Sequence, residues 1–197
     1  MSEFKYTVEN RRSIEVLEKS NTIPNEAVLE LIKHAIYYVP SAFNAQSVAI
    51  MVLFEDSHHK LWEEVTNLIL PFVPKEKQQK TIQKIDGFRG GNGTIIFLED
   101  TEVAKDLQNK FPLYQENVQL WSDQGQGFAQ HAVWLALSDV GLSATLQHYN
   151  PLIDPFIMEY FNVDDKYQVV AQMPFGKAKS KPKDLVKKDI SKRVWKK

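Results

Sequence analysis

The chain has 197 residues, 43% hydrophobic and 25% charged, with a net charge of −1, enough to bury roughly 70% of its unfolded surface in one domain without a disulfide or metal staple. It contains no cysteine, which excludes thiol catalysis, iron–sulfur clusters, zinc–thiolate sites and disulfides together and fits a reducing compartment. Residues 1–10 are polar with no apolar signal core, and no apolar run approaches the ~20 residues of a membrane span, so a cytoplasmic protein with no membrane partner is expected.

In chain order, residues 1–10 read as an N-terminal arm, and residues 9–19 are expected as a first helix containing Arg11-Arg12-Ser13. The second helix is the clearest element: Val28, Leu31, Ile32, Ala35, Ile36 and Val39 follow the i, i+3, i+4, i+7 rule. Pro24 suits its first turn and Pro40 stops it. Then Pro40-Ser41-Ala42-Phe43-Asn44-Ala45-Gln46-Ser47 puts two amides and two hydroxyls between a helix end and a strand. Val48–Phe54 is apolar without alternation, as in a strand buried on both faces. Residues 58–70 and 76–86 read as helices, with Leu61, Trp62, Val65, Leu68 and Ile69 on one face of the former.

Gly87, Gly90, Gly91 and Gly93 stand just before the apolar run Thr94-Ile95-Ile96-Phe97-Leu98. Phosphate loops follow a strand and open a helix, whereas these glycines precede one, so close backbone packing is the expectation. A short helix covers 101–109. A long one covers 118–140, with Phe128, His131, Ala132, Leu135 and Ala136 as its inward face. Gly125 and Gly127 weaken its middle, each by about 1 kcal/mol relative to alanine, which points to something large against the backbone. Gly141-Leu142 ends it. A strand at 143–147, a helix at 152–161 and a strand at 167–173 complete an α+β pattern, a central mixed sheet flanked by helices.

Among the histidines, His34, His58 and His59 read as surface residues and His131 as a core residue. None shows zinc-ligand spacing with a carboxylate, so no metal is expected. Residues 176–197 carry ten basic and two acidic side chains, a charge of +8 that leaves about −9 on the remainder. This basic arm reads as solvated and lying on the acidic body of a partner subunit. Phosphate binding is a second reading. Nucleic acid is not expected, because the acidic body repels a polyanion.

Six motifs in order carry a resemblance. They are Arg11-Arg12-Ser13, the stretch from Pro40 to Ser47, Gly93-Thr94-Ile95-Ile96-Phe97-Leu98-Glu99-Asp100, Phe111-Pro112-Leu113-Tyr114, Leu146-Gln147-His148-Tyr149-Asn150-Pro151 and Met173-Pro174-Phe175-Gly176-Lys177. Together they resemble the FMN-dependent nitroreductase family, in the compact branch of the fungal fatty-acid-repression and lactic-acid-bacterial copper-induced nitroreductases. The resemblance implies a nitroreductase-like fold, an obligate homodimer, and two FMN sites at the subunit interface. It implies that Arg11, Arg12 and Ser13 contact the phosphate or the pyrimidine end. Asn44, Gln46 and Ser47, in a cofactor-binding stretch with Pro40 and Ser41, would come from the other subunit. Gln147, His148 and Tyr149 would lie along the ring face or its N5 edge. Larger relatives have a glutamate–glycine pair there, and in this chain a backbone N–H of the loop is expected to take that place.

FMN is a dianion at its phosphate and an acceptor–donor–acceptor at its ring edge. Lys177 and Lys179 are expected to reach the phosphate, and the amides of Asn44 and Gln46 suit the ring. Phe43, Phe111 and Tyr114 read either as packing or as a stacking lid that selects flat, electron-poor substrates. His148 is a candidate proton donor, although water can serve instead. The implied activity is NAD(P)H-dependent reduction of nitroaromatics, quinones or related small aromatic acceptors by a ping-pong mechanism. The alternative is a flavin- or lipid-responsive regulator on the same fold.

Overall fold

The computed structural model describes residues 3–197. Along them run α1 (Glu3–Asn10), β1 (Leu17–Glu18), α2 (Asn25–Tyr37), β2 (Val48–Phe54), α3 (Glu55–Ile69), α4 (Lys75–Arg89), β3 (Gly93–Asp100), α5 (Thr101–Lys110), α6 (Val118–Asp139), β4 (Ser143–Ala144), α7 (Asp154–Tyr160) and β5 (Tyr167–Ala178). The sheet order is β1-β5-β3-β2, with β4 also paired to β5. All of these ladders are antiparallel, and the mixed sheet reduces to one parallel bridge, Ser13 to Ala144. The reason is the connection between β2 and β3. It is a pair of helices, α3 and α4, rather than the single crossover helix that makes neighbouring strands parallel.

Strand periodicity divides the core between the two faces. Ile95 and Phe97 of β3 pack with Val28 and Ile32 of α2 and Val133 and Leu137 of α6. Ile96 and Leu98 pack with Leu61 and Trp62 of α3, Ile85 and Phe88 of α4 and Ile157 of α7. Burial on both faces therefore belongs to β3. β2 is the edge strand, with only Leu53 fully buried, so the expectation for it does not hold within one chain.

The first predicted helix is misplaced. α1 ends at Asn10, and the chain then runs extended, with Ile14 N–H on Ala144 O at 3.1 Å and Leu17 opposite Ala178. Backbone partners far along the sequence hold this segment, and no local periodicity reports them. The glycines at the C-terminal end of α4 do permit close packing. A Cβ on Gly87 would stand 2.5 Å from Glu15 O, and one on Gly90 2.5 Å from Leu17 O. α4 thus lies directly on the backbone of the 15–17 segment.

Two further expectations are corrected. His58 is fully buried, enclosed by α3, α4 and β3. α6 is rotated from the predicted facing: Ser122, Gly125, Gln126, Ala129, Val133 and Leu137 face inward, while Phe128 is 52% exposed and His131 is exposed. The small residues let α6 approach the sheet, and the bulkier stripe is left outward. Among the described residues, nothing beyond the helix's own backbone and the adjoining residues lies within 4 Å of a Cβ built on Gly125 or Gly127, so the large neighbour expected there is not found among them.

Candidate functional site

Three segments that the sequence singles out lie along the sheet margins, and two of them, 11–13 and 40–47, line cavities beside α6. The first is the extended stretch 11–13. The Arg11 guanidinium lies 4.4 Å over the Trp134 ring of α6, and Arg12 donates to the Lys183 carbonyl. Adjoining grooves of about 320 and 350 Å³ open beside both arginines, the second also lined by Ser13, Lys181 and Lys183. Neither arginine has a carboxylate partner among the described residues. Burial, and then the neighbouring Arg12 charge, hold Arg11 below the ordinary arginine pKa. Two adjacent cations without a direct ion pair, beside grooves that Glu9 and Glu15 also line, are suited to an anion.

The second segment follows β4. Gln147 exchanges both backbone bonds with Gln172, at 2.7 and 2.9 Å, and Tyr149 N–H donates to Gln172 Oε1 at 2.9 Å. Thr145 N–H goes to Pro174 O. Donors of an extended chain alternate in direction, so those of Leu146 and His148 point away from β5. They face the edge that, at Ala144, is occupied by Ser13 and Ile14. The His148 side chain is exposed. Tyr149 does not lie along this edge. It packs at 5.8 Å against Trp62, and burial pushes its phenol up to about 12.

The third segment is 40–47. Phe43, Asn44 and Gln46 all adopt left-handed backbone at φ 53°, a conformation that costs non-glycine residues free energy and recurs at functional sites. Gln46 N–H bonds Ser41 Oγ at 3.0 Å, and Asp100 N–H bonds Ser47 O at 2.8 Å. A cavity of about 310 Å³ lies between Tyr37, Pro40, Ser41, Gln46 and Gly125. Phe43 stacks on Phe111 at 4.4 Å and leans on Trp121 at 5.3 Å, and Tyr114 meets Trp121 at 5.8 Å. The four aromatic residues therefore form one cluster, with Phe43 56% exposed. Below it, Glu99 is buried and accepts from Ser122 and from Gln126 Nε2, a network absent from the sequence reading.

Segments 11–13 and 40–47 line separate cavities in one chain. Gly125 and Trp134, which mark them on α6, are nine residues apart, roughly 13 Å of helix. The basic residues also differ from expectation. The exposed Lys177 is paired with the half-buried Glu18 at 2.8 Å, and Lys179 is exposed with its N–H on Val16 O. The lysines beside Arg12 are Lys181 and Lys183. A lysine-rich arm contained that signal but not which lysines the β5 ladder would turn aside. Among the described residues no acidic or histidine cluster could hold a metal ion, and no helix is long and apolar enough to cross a membrane.

The chain is similar to the Lactococcus lactis nitroreductase CinD. The CinD structure with nicotinic acid has 37% identity, covers 98% of this chain and 99% of that one, and superposes with a TM-score of 0.88. Its complex with 4-nitrophenol gives 36% identity at the same coverage, with a TM-score of 0.86. The Saccharomyces cerevisiae protein HBN1 is 30% identical over 190 residues, 93% of each chain. A Desulfitobacterium hafniense nitroreductase with bound FMN shares the fold at 18% identity, with full coverage of both chains and a TM-score of 0.72. The nitroreductase family model matches residues 8–177, and with this fold, this coverage and this arrangement of segments the chain belongs to the nitroreductase family.

Proposed function

We propose that the chain is an FMN-dependent reductase, built as a homodimer, that takes hydride from NAD(P)H and passes electrons to nitroaromatics, quinones or related flat acceptors. One observation carries the reading. Arg11 and Arg12 lack carboxylate partners among the described residues, and they open on the same edge as the free N–H groups of Leu146 and His148. A phosphate supplies the charge the arginine pair lacks. A flavin ring edge supplies acceptors for the N–H groups.

Bound FMN supplies the hydride chemistry. The chain's own residues bind, orient and enclose. Arg11, braced on Trp134, and Arg12, with Lys181 beside it, hold the anionic end, while Lys183 is paired with Glu15 at 2.7 Å. Asn44, Gln46 and Ser47 approach from the second copy, which accounts for the separation of the two half-sites within one chain. Phe43, Phe111, Tyr114 and Trp121 form an aromatic cluster of stacked and tilted rings that excludes water and favours planar rings. Nicotinic acid and 4-nitrophenol, bound by the Lactococcus relative, are both planar rings. His148 is exposed and in reach of bulk water, so either can deliver a proton.

The test is the visible absorption spectrum of the purified protein before and after anaerobic NADH and NADPH. A flavin band that bleaches promptly supports a reductase. A band that persists with both donors removes the NAD(P)H assignment. No band after FMN is supplied removes the flavin reading.

A further inference from the structure

We propose that Gln172 is a positioning residue that aims the backbone N–H groups of Leu146 and His148 at the flavin, an inference that rests on the FMN reading above. Gln172 sits in the middle of β5 between Ala171 and Met173, fully buried. A buried amide at such a place is costly unless each polar group is paired. All four are, and every partner lies in residues 147–150. Its N–H donates to Gln147 O at 2.9 Å, and its carbonyl accepts from Gln147 N–H at 2.7 Å. Its Oε1 accepts from Tyr149 N–H at 2.9 Å, and its Nε2 donates to Asn150 Oδ1 at 3.0 Å.

The far end of this clamp is fixed as well. Asn150 Nδ2 donates to Asp154 Oδ1 at 2.6 Å and to Val169 O at 3.0 Å, tying the loop to α7 and β5. With Gln147 and Tyr149 bound to one residue, the loop has one register. A slip of one residue would turn the donors of Leu146 and His148 into the sheet and those of Gln147 and Tyr149 outward. An apolar side chain at 172 fills the core equally well but holds no register beyond the backbone bridge. The amide therefore acts through the loop, on donors it does not touch. A positive N–H dipole held near the ring favours the added electrons of the reduced flavin.

The test is Gln172→Met, which keeps the volume and the backbone bridge and removes both side-chain bonds. In the apoprotein, amide hydrogen exchange at Tyr149 should accelerate at least tenfold. In the FMN-loaded protein, the equilibrium constant for two-electron reduction should fall about tenfold, a midpoint potential lower by about 30 mV. FMN affinity should change less than threefold, because Arg11 and Arg12 are untouched. A lowered melting temperature with an unchanged potential would show a merely structural role and overturn the proposal. His148→Pro removes the N–H itself at an exposed position, so it reports even where Gln172→Met does not fold. Its potential should fall likewise, and an unchanged value overturns the proposal. If the unsubstituted protein binds no FMN, the flavin reading fails and takes this one with it. FMN binding with unaltered potential in both variants overturns this one alone.

Discussion

His58 shows what a single side chain can hide. In sequence it stands beside His59 in a polar helix start, with nothing to mark it as buried. Its partners, Thr94 and Arg89, are more than thirty residues away. The hydrogen-bond pattern fixes the tautomer. Arg89 O can only accept, so Nε2 carries the proton at 3.0 Å, and Nδ1 accepts from Thr94 Oγ1 at 2.8 Å. Thr94 Oγ1 in turn accepts from Trp62 Nε1 at 2.8 Å. Burial lowers the His58 pKa from 6.5 to about 4. Between these values the unfolded chain binds the proton and the folded one does not, so stability falls as pH falls through this window. The loss from this residue between pH 7 and pH 5 is about 2 kcal/mol. His58→Asn should be less stable at pH 7 but should lack that part of the pH dependence. Urea unfolding at the two pH values measures it, and an equal drop in both proteins would refute the assignment. Arg11 is a different case: its residue type suggested a role, but the sequence set it on a helix and the structure sets it in an extended segment. Arg11→Ala should weaken FMN binding at least tenfold in a fluorescence titration. Loss of the Trp134 contact should cost no more than about 1 kcal/mol of stability. Full FMN retention after dialysis would count against its role.

At the scale of elements, legibility depended on where the determining contacts lie. α2 was readable from its helical period and β2, β3 and β5 from their apolar, β-branched runs, and the C-terminal end of α6 was readable from Gly141, whose φ of 80° and the Leu142 N–H to Leu137 O bond close the helix. The 11–18 stretch was not, because Ala144 and Ala178 hold it from the far end of the chain. The facing of α6 was misread for a related reason. It has two apolar stripes, and hydrophobicity alone favours the bulkier one, Phe128 to Ala136. The sheet takes the smaller one, and the bulkier stripe is turned away from it, with Phe128 exposed and Ala132, Leu135 and Ala136 half-buried. Gly125 tests the same point. It is buried, yet a Cβ there meets nothing within 4 Å, and it lines the cavity beside Ser41 and Gln46. In the apoprotein Gly125→Ala should therefore raise stability by up to about 1 kcal/mol through helix propensity. The same methyl group should lower FMN affinity if the cofactor fills that cavity. Thermal unfolding without FMN, and FMN titration, separate the two effects. A stabilised variant with unchanged affinity would place the flavin elsewhere.

For the whole molecule, the charge division is the dominant feature. Residues 176–197 carry +8 against about −9 on the rest, yet the arm beyond Lys183 is not folded back over the chain's own acidic body. Leu185, Val186, Ile190, Val194 and Trp195 are each more than 60% exposed, an apolar and basic ribbon with no cover from its own chain. A solvated tail has no need of five large apolar residues, whereas a strap across a second copy uses both their area and their charge. The exposed Phe128 of α6 and the two separated half-sites favour the same second copy. Sedimentation at micromolar concentration should therefore show a dimer. Truncation before Leu185 should weaken dimerisation at least tenfold while leaving Arg12, Lys181 and Lys183 in place. Its effect should shrink at high salt but not vanish, because the apolar part of the contact is not screened. Equal dimer affinity for the full and truncated chains at low salt would reduce the arm to a solvated appendage, and α6 alone would have to carry the interface.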